Sequence, residues 1–147
     1  MKAHWLAALP LSLLVSCSGY QRDFKRAVSE YQPAQSPTGP WKGTWKSEVN
    51  GHHGPLWCIV SSDDLSPQTW HFRYRAGWGV LRFGDYTHSV ATKLKPDESL
   101  PLDASMTLPN NFGTYAVKGP ITPTQFKVRF EGNGDKGTMT LSRPPSP

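Results

Sequence analysis

The spacing of apolar and polar positions divides the chain into three parts. From Trp5 to Val15 the residues are almost all apolar, broken only by Pro10 and Ser12. Such a run is shorter than the roughly 20 residues a permanent transmembrane helix needs, and it has the length of a signal-peptide core. From Tyr20 the pattern changes. Tyr20, Phe24, Ala27 or Val28, and Tyr31 recur at three-to-four-residue spacing among polar neighbours, which predicts one amphipathic helix over 20–32. A helix of about a dozen residues is marginal alone in water, so its stripe is expected to pack on the domain behind it or on a membrane interface. Pro33, Pro37 and Pro40 then forbid helix and ladder and predict an extended linker.

From Trp41 the period drops to two. Trp41, Gly43, Trp45, Ser47 and Val49 share one face of a first strand, and Asn50-Gly51 marks a hairpin turn. Leu56, Cys58 and Val60 alternate with Trp57, Ile59 and Ser61. Trp70, Phe72 and Tyr74 alternate with His71, Arg73 and Arg75. Further runs are Val80–Phe83, Tyr86–Leu94, Leu100–Leu108, Thr114–Lys118, Phe126–Phe130 and Met139–Arg143. Short connections and no intervening helix predict an all-β domain over 41–143, with 144–147 a tail. The expected fold is a small antiparallel meandering β-barrel of roughly eight or nine strands, since a strip of that length must close or stack to hide its edges.

Composition agrees: 13 Gly and 14 Pro punctuate runs that hold six Trp, five Tyr and six Phe. The formal charge of +5 is spread along the chain, with one small cluster at Arg22, Lys25 and Arg26. There is no basic stripe and no recognisable motif, which argues against nucleic acid as a partner. Attraction to anionic lipid or polysaccharide suits the charge better.

The apolar run ends in Leu14-Val15-Ser16-Cys17. These four residues resemble the lipobox of bacterial lipoproteins. The resemblance implies a signal peptide over 1–16, cleavage before Cys17, and lipid on the Cys17 thiol that anchors a tether (17–40) to a membrane. Two or three acyl chains exceed the marginal hold of one. Ser18 follows the cysteine where Asp would signal retention, so the resemblance implies the bacterial cell envelope, at the periplasmic face of an outer membrane. With Cys17 acylated, Cys58 has no partner for a disulfide, and it reads as a small buried hydrophobe.

A second resemblance covers the β-domain. Gly43-Thr44-Trp45, with Gly39-Pro40-Trp41 just before it, resembles the Gly-x-Trp opening strand of calycins, the lipocalin and avidin-like barrels. In that family the tryptophan packs at the closed end against a basic residue of the last strand. This implies a barrel-closing role for Gly43, Trp45 and Arg143. The stretch from Gly119 through Phe126 and Asp135 to Arg143 also looks like the last hairpin of small envelope lipoproteins of bacteria, and no activity comes with that likeness.

Catalytic chemistry finds little support. No Gly-x-Ser-x-Gly elbow is present, and Cys58 alternates with core positions. The acid pairs Asp63-Asp64 and Asp97-Glu98 lie in polar, turn-like stretches. His52, His53, His71 and His88 lack the spacing of a closed metal set. The expectation is a protein that is not an enzyme, with no cofactor and no metal. The aromatic row Trp70, Phe72, Tyr74 and Trp78 either fills the barrel or lines a pocket for a small hydrophobic or cyclic ligand. The leading expectation is that ligand-binding role. The alternative is a structural or interaction module that presents its outer face to envelope polysaccharide or a protein.

Overall fold

A computed structural model describes residues 19–33, 35–107 and 113–146, with the backbone alone at position 83. The signal-peptide and lipobox expectations, Cys17 included, lie outside these residues. One helix, α1 (Gly19–Glu30), precedes eight strands: β1 (Gly39–Ser47), β2 (His53–Ser62), β3 (Thr69–Trp78), β4 (Leu81–Ala91), β5 (Leu100–Thr107), β6 (Thr114–Ile121), β7 (Phe126–Gly132) and β8 (Asp135–Ser142). Among the described residues no helix is long and apolar enough to cross a membrane.

The strands are antiparallel and pair in the order β4-β3-β2-β1-β8-β7-β6-β5. Every strand pairs with its neighbours in sequence except β4 and β5, and β1 is laddered on both sides, to β2 and to β8. The sheet is therefore an up-and-down meander rolled until its first and last strands meet, an all-β barrel form of the kind the short connections predict. It stops short of full closure. β4 and β5 keep their outer edges and are joined across a seam by side chains: Thr92 Oγ1 donates to the Pro101 carbonyl at 2.7 Å, and the His88 imidazole meets the Ser105 backbone.

Turn chemistry sets the register. β7 and β8 are joined by Asn133-Gly134, both at positive φ (51° and 75°), the two-residue turn whose twist matches its strands. At the β1–β2 turn the Ser47 hydroxyl accepts from the Val49 and Asn50 amides and donates to Asp135 Oδ1. The alternation predicted for the strands holds: Leu56, Cys58, Val60, Trp70, Phe72 and Tyr74 all face inward and are buried.

Three local readings change. The segments expected at Val80–Phe83 and Tyr86–Leu94 merge into one shorter strand, β4, which leaves Val80 in the turn and Thr92–Leu94 beyond its end and is interrupted by a bulge between the pairs Tyr74↔Tyr86 and Ala76↔Phe83. Gly84, at φ +76°, supplies the left-handed residue such a bulge needs, and in sequence it looks like a turn. The linker does not hang free. β1 already begins at Gly39, Pro37 is buried, and the Trp41 indole donates to the Pro37 carbonyl at 2.8 Å. The apolar stripe of α1 packs on the barrel: Tyr20 is only 1 % exposed, and its hydroxyl donates to the Arg73 carbonyl. Arg73, reaching outward from β3, pairs with Asp23 of α1 at 2.9 Å and Asp85 of β4 at 2.6 Å, and so clamps the helix to the sheet.

Candidate functional site

β1 runs from one end of the barrel to the other, and the two ends are built differently. At the end where β1 starts, the Arg143 guanidinium lies 3.7 Å from the centre of the Trp41 ring and 4.6 Å from that of Tyr31. It donates to the carbonyls of Ser36, Pro40 and Pro123. Five N–H donors in a rigid fork suit several carbonyl acceptors at once, which an ammonium could not match. Its half-buried position lowers its pKa, since desolvation opposes the charge. The folded-back linker, Tyr31 and Arg143 seal this end.

Toward the opposite end Trp45, Tyr86, Ala104 and Tyr115 are only partly buried against the core. The Trp45 indole donates to the Gly77 carbonyl at 2.9 Å, and the Tyr115 ring stacks on Phe130 at 5.8 Å. Beyond them, on the β1–β2 and β3–β4 turns, Val49, Trp78, Val80 and Leu81 stand in solvent. The His52 ring lies 5.0 Å from that of Trp78, joining the two turns.

Between the ends, the interior is filled by rings. Phe126 meets Trp41, Phe72 and Tyr74 edge to face at 5.6, 6.2 and 6.5 Å, the geometry favoured by aromatic quadrupoles. Burial pushes the Cys58 thiol and the Tyr74, Tyr86 and Tyr115 phenols upward, so all stay neutral at physiological pH. The Trp70 Nε1 and Tyr74 hydroxyl are buried without a hydrogen-bond partner. Two surface concavities stand outside this core. One, of about 310 Å³, runs between α1 and the outer faces of β2 and β3, beside Asp23, Arg26, Glu30, His71 and Arg73. The other, of about 550 Å³, lies by Lys93–Pro96 and Pro101 at the β4–β5 connection. None of the core rings lines either.

The residues singled out in the sequence separate accordingly. Trp70, Phe72 and Tyr74 come together as core, whereas Trp78 sits apart, 49 % exposed. Gly43 lies where β1 and β8 approach so closely that a Cβ would collide with the backbone of Thr140 and Leu141. Trp45 and Arg143 do not meet. The tryptophan that Arg143 covers is Trp41, four residues earlier, because only the start of β1 shares an end with the close of β8. Sequence reading named Trp41 as part of Gly39-Pro40-Trp41, but placed Tyr31 on the helix stripe and Pro37 in a spacer, and so missed their part in closing this end. It also placed Val80 inside a strand, whereas it lies in the turn just before β4. Trp78 between Gly77 and Gly79, followed at once by Val80 and Leu81, is the signal that would have exposed the rim.

The histidines are dispersed. His53 Nδ1 contacts the Gly51 carbonyl, His71 Nδ1 the Ser89 hydroxyl, and His88 is buried at the seam. Among the described residues no three His, Cys, Asp or Glu side chains gather as a metal-ligand set. Asp63 accepts from the Leu65 amide and Asp97 from Ser99, and the Ser99 hydrogen bonds hold the Asp97 carboxyl below its usual range. Both acids are thereby engaged in shaping turns. Comparison of the chain with protein-family models, with curated proteins and with solved structures gives no match.

Proposed function

We propose that this chain is a lipid-anchored protein of the bacterial envelope, held through Cys17, that works as a non-enzymatic interaction module. Its outer surface and open rim, and not a cup inside the barrel, meet the partner. The observation that carries this reading is the filled interior. Phe72 and Tyr74 are spent on ring-to-ring packing with Phe126, which also meets Trp41, and Trp70 is buried in the same core. The lipobox residues Leu14-Val15-Ser16-Cys17 support the anchor, and Ser18 supports an outer membrane. The Arg143–Trp41 stack supports kinship with calycin-like barrels, in which a basic residue covers the opening-strand tryptophan.

A second reading keeps a small hydrophobic or cyclic ligand. It is favoured by the unpartnered Trp70 Nε1 and Tyr74 hydroxyl and by the half-buried Trp45, Tyr86 and Tyr115 toward the open end. Native mass spectrometry of the full chain extracted from its envelope separates the two. The acylated protein mass alone is expected, and a small molecule retained in stoichiometric amount would transfer the function to the barrel interior. Metabolic labelling with a fatty-acid probe tests the anchor: label should enter the wild type and be lost in Cys17→Ala, and equal labelling would exclude it.

A further inference from the structure

Five large hydrophobic side chains are exposed among the described residues: Val49, Leu65, Trp78, Val80 and Leu81. All but Leu65 collect on the two neighbouring turns of the open end. Val80 is 95 % exposed and caps a two-residue turn, a position that polar residues normally take. Apolar side chains gathered at one end mark a contact surface, whereas scattered ones do not.

Around this tip Glu48 is paired with Arg129 at 2.8 Å and Asp85 with Arg73, Asp135 accepts from the Ser47 hydroxyl, and Glu131 enters no ion pair among the described residues. Lys46 and Arg82 enter no ion pair among the described residues. Arg82 donates to the Gly79 and Leu81 carbonyls and lies 5.5 Å over the Trp57 ring, which fixes its guanidinium at the base of the turn. An apolar tip with a basic collar is complementary to a bilayer surface, in which acyl chains lie beneath anionic phosphates. Tryptophan at the same level suits the headgroup layer.

The position of α1 agrees. Tyr20 and Asp23 pin its first turn to Arg73 on β3, and Cys17 precedes Gly19 by two residues, a reach of about 10 Å from Tyr20. Arg73 stands five residues from Trp78, about 17 Å along the same strand. The start of α1 and the β3–β4 turn thus lie beside one pair of strands, and a lipid two residues before Gly19 is within reach of the surface that receives the turn.

We infer that the open rim docks on the interfacial layer of an anionic bilayer, with Trp78, Val80 and Leu81 entering the headgroup–acyl boundary and Lys46 and Arg82 on the phosphates. The inference rests on the reading of the chain as a membrane-anchored envelope protein. The test places an environment-sensitive fluorophore at Val80→Cys or, as control, at Leu65→Cys, which is equally exposed at the other end. The Cys58 thiol, fully buried, does not take the label. The full chain is purified from the membranes of the expressing cells, and its intact mass reads acylation at Cys17. It is then reconstituted in vesicles of brominated phosphatidylcholine with or without phosphatidylglycerol. Quenching at position 80 is expected to exceed that at position 65 roughly threefold with phosphatidylglycerol present. The gap should narrow without the anionic lipid, and again in Arg82→Glu. Equal quenching at both positions overturns the inference. So does protection of position 80 by envelope polysaccharide and not by vesicles, which would assign the rim to a glycan. An acylated chain with position 80 unquenched defeats the docking and leaves the anchor standing. An unacylated chain with position 80 quenched does the reverse.

Discussion

Among the described residues two arginines lie over tryptophan rings, one toward each end of the barrel. Arg143 covers Trp41 at 3.7 Å, with its guanidinium half-buried, shared with Tyr31 and hydrogen-bonded to three carbonyls. Arg82 covers Trp57 at 5.5 Å in solvent, with both its carbonyl partners in its own turn. The chemistry of the two pairs is alike and the setting is not. A desolvated cation over an aromatic face is worth several times an exposed one, and its hydrogen bonds cannot be replaced by water. The first pair holds together segments more than a hundred residues apart in sequence. The second leaves a cation and an apolar tip free to meet something else. One end of the barrel is committed to the fold; the other is available for contact.

The largest expected effect breaks the closed end. Trp41→Ala removes a fully buried ring and should cost about 3–5 kcal/mol of stability in urea unfolding, whereas Trp57→Ala should cost well under that because its ring faces outward. Next, Arg143→Met strands three carbonyls and should cost about 1–3 kcal/mol, with Arg143→Lys recovering little. Arg82→Ala should stay within about 0.5 kcal/mol of wild type.

The seam gives a pH effect. Burial lowers the His88 pKa, while contact with the Ser105 backbone opposes that shift. The folded state therefore holds fewer protons than the unfolded chain just below the ordinary value of 6.5. Stability should be full above that pH and fall as the pH drops through it, because unfolding then takes up a proton. Urea midpoints measured between neutral and mildly acid pH should show this decline, and His88→Gln should flatten it. The smallest effect is at the rim: Val80→Asp and Leu81→Ser should change stability by less than about 0.5 kcal/mol, since neither side chain is packed.

How much of this was legible in the sequence follows from what each feature depends on. Period-two alternation is local, so Leu56, Cys58 and Val60 announce an inward face without any knowledge of the partner strand. Rolling the sheet so that β8 meets β1 follows from short connections alone. The choice between Trp41 and Trp45 does not. Both lie on one face of β1, and it is the antiparallel register of β8, with Ser142 beside Lys42, that decides which of them Arg143 reaches. The α1 stripe predicted packing, but its clamp is Arg73, a residue that alternation places on the outside and leaves without a role. The bulge at Gly84 and the rim at Val80 share one cause of error. A glycine at positive φ and an apolar residue at a turn tip both have the appearance of ordinary strand-and-turn sequence.

The division between a sealed end and a docking end is tested most directly by amide hydrogen exchange of the full chain on phosphatidylglycerol-containing vesicles, compared with phosphatidylcholine vesicles. Segments 48–53 and 78–82 should gain protection on the anionic surface, while 36–42 and 139–143 exchange slowly and equally on both. Added protection at the sealed end, or none at the rim, would contradict the account.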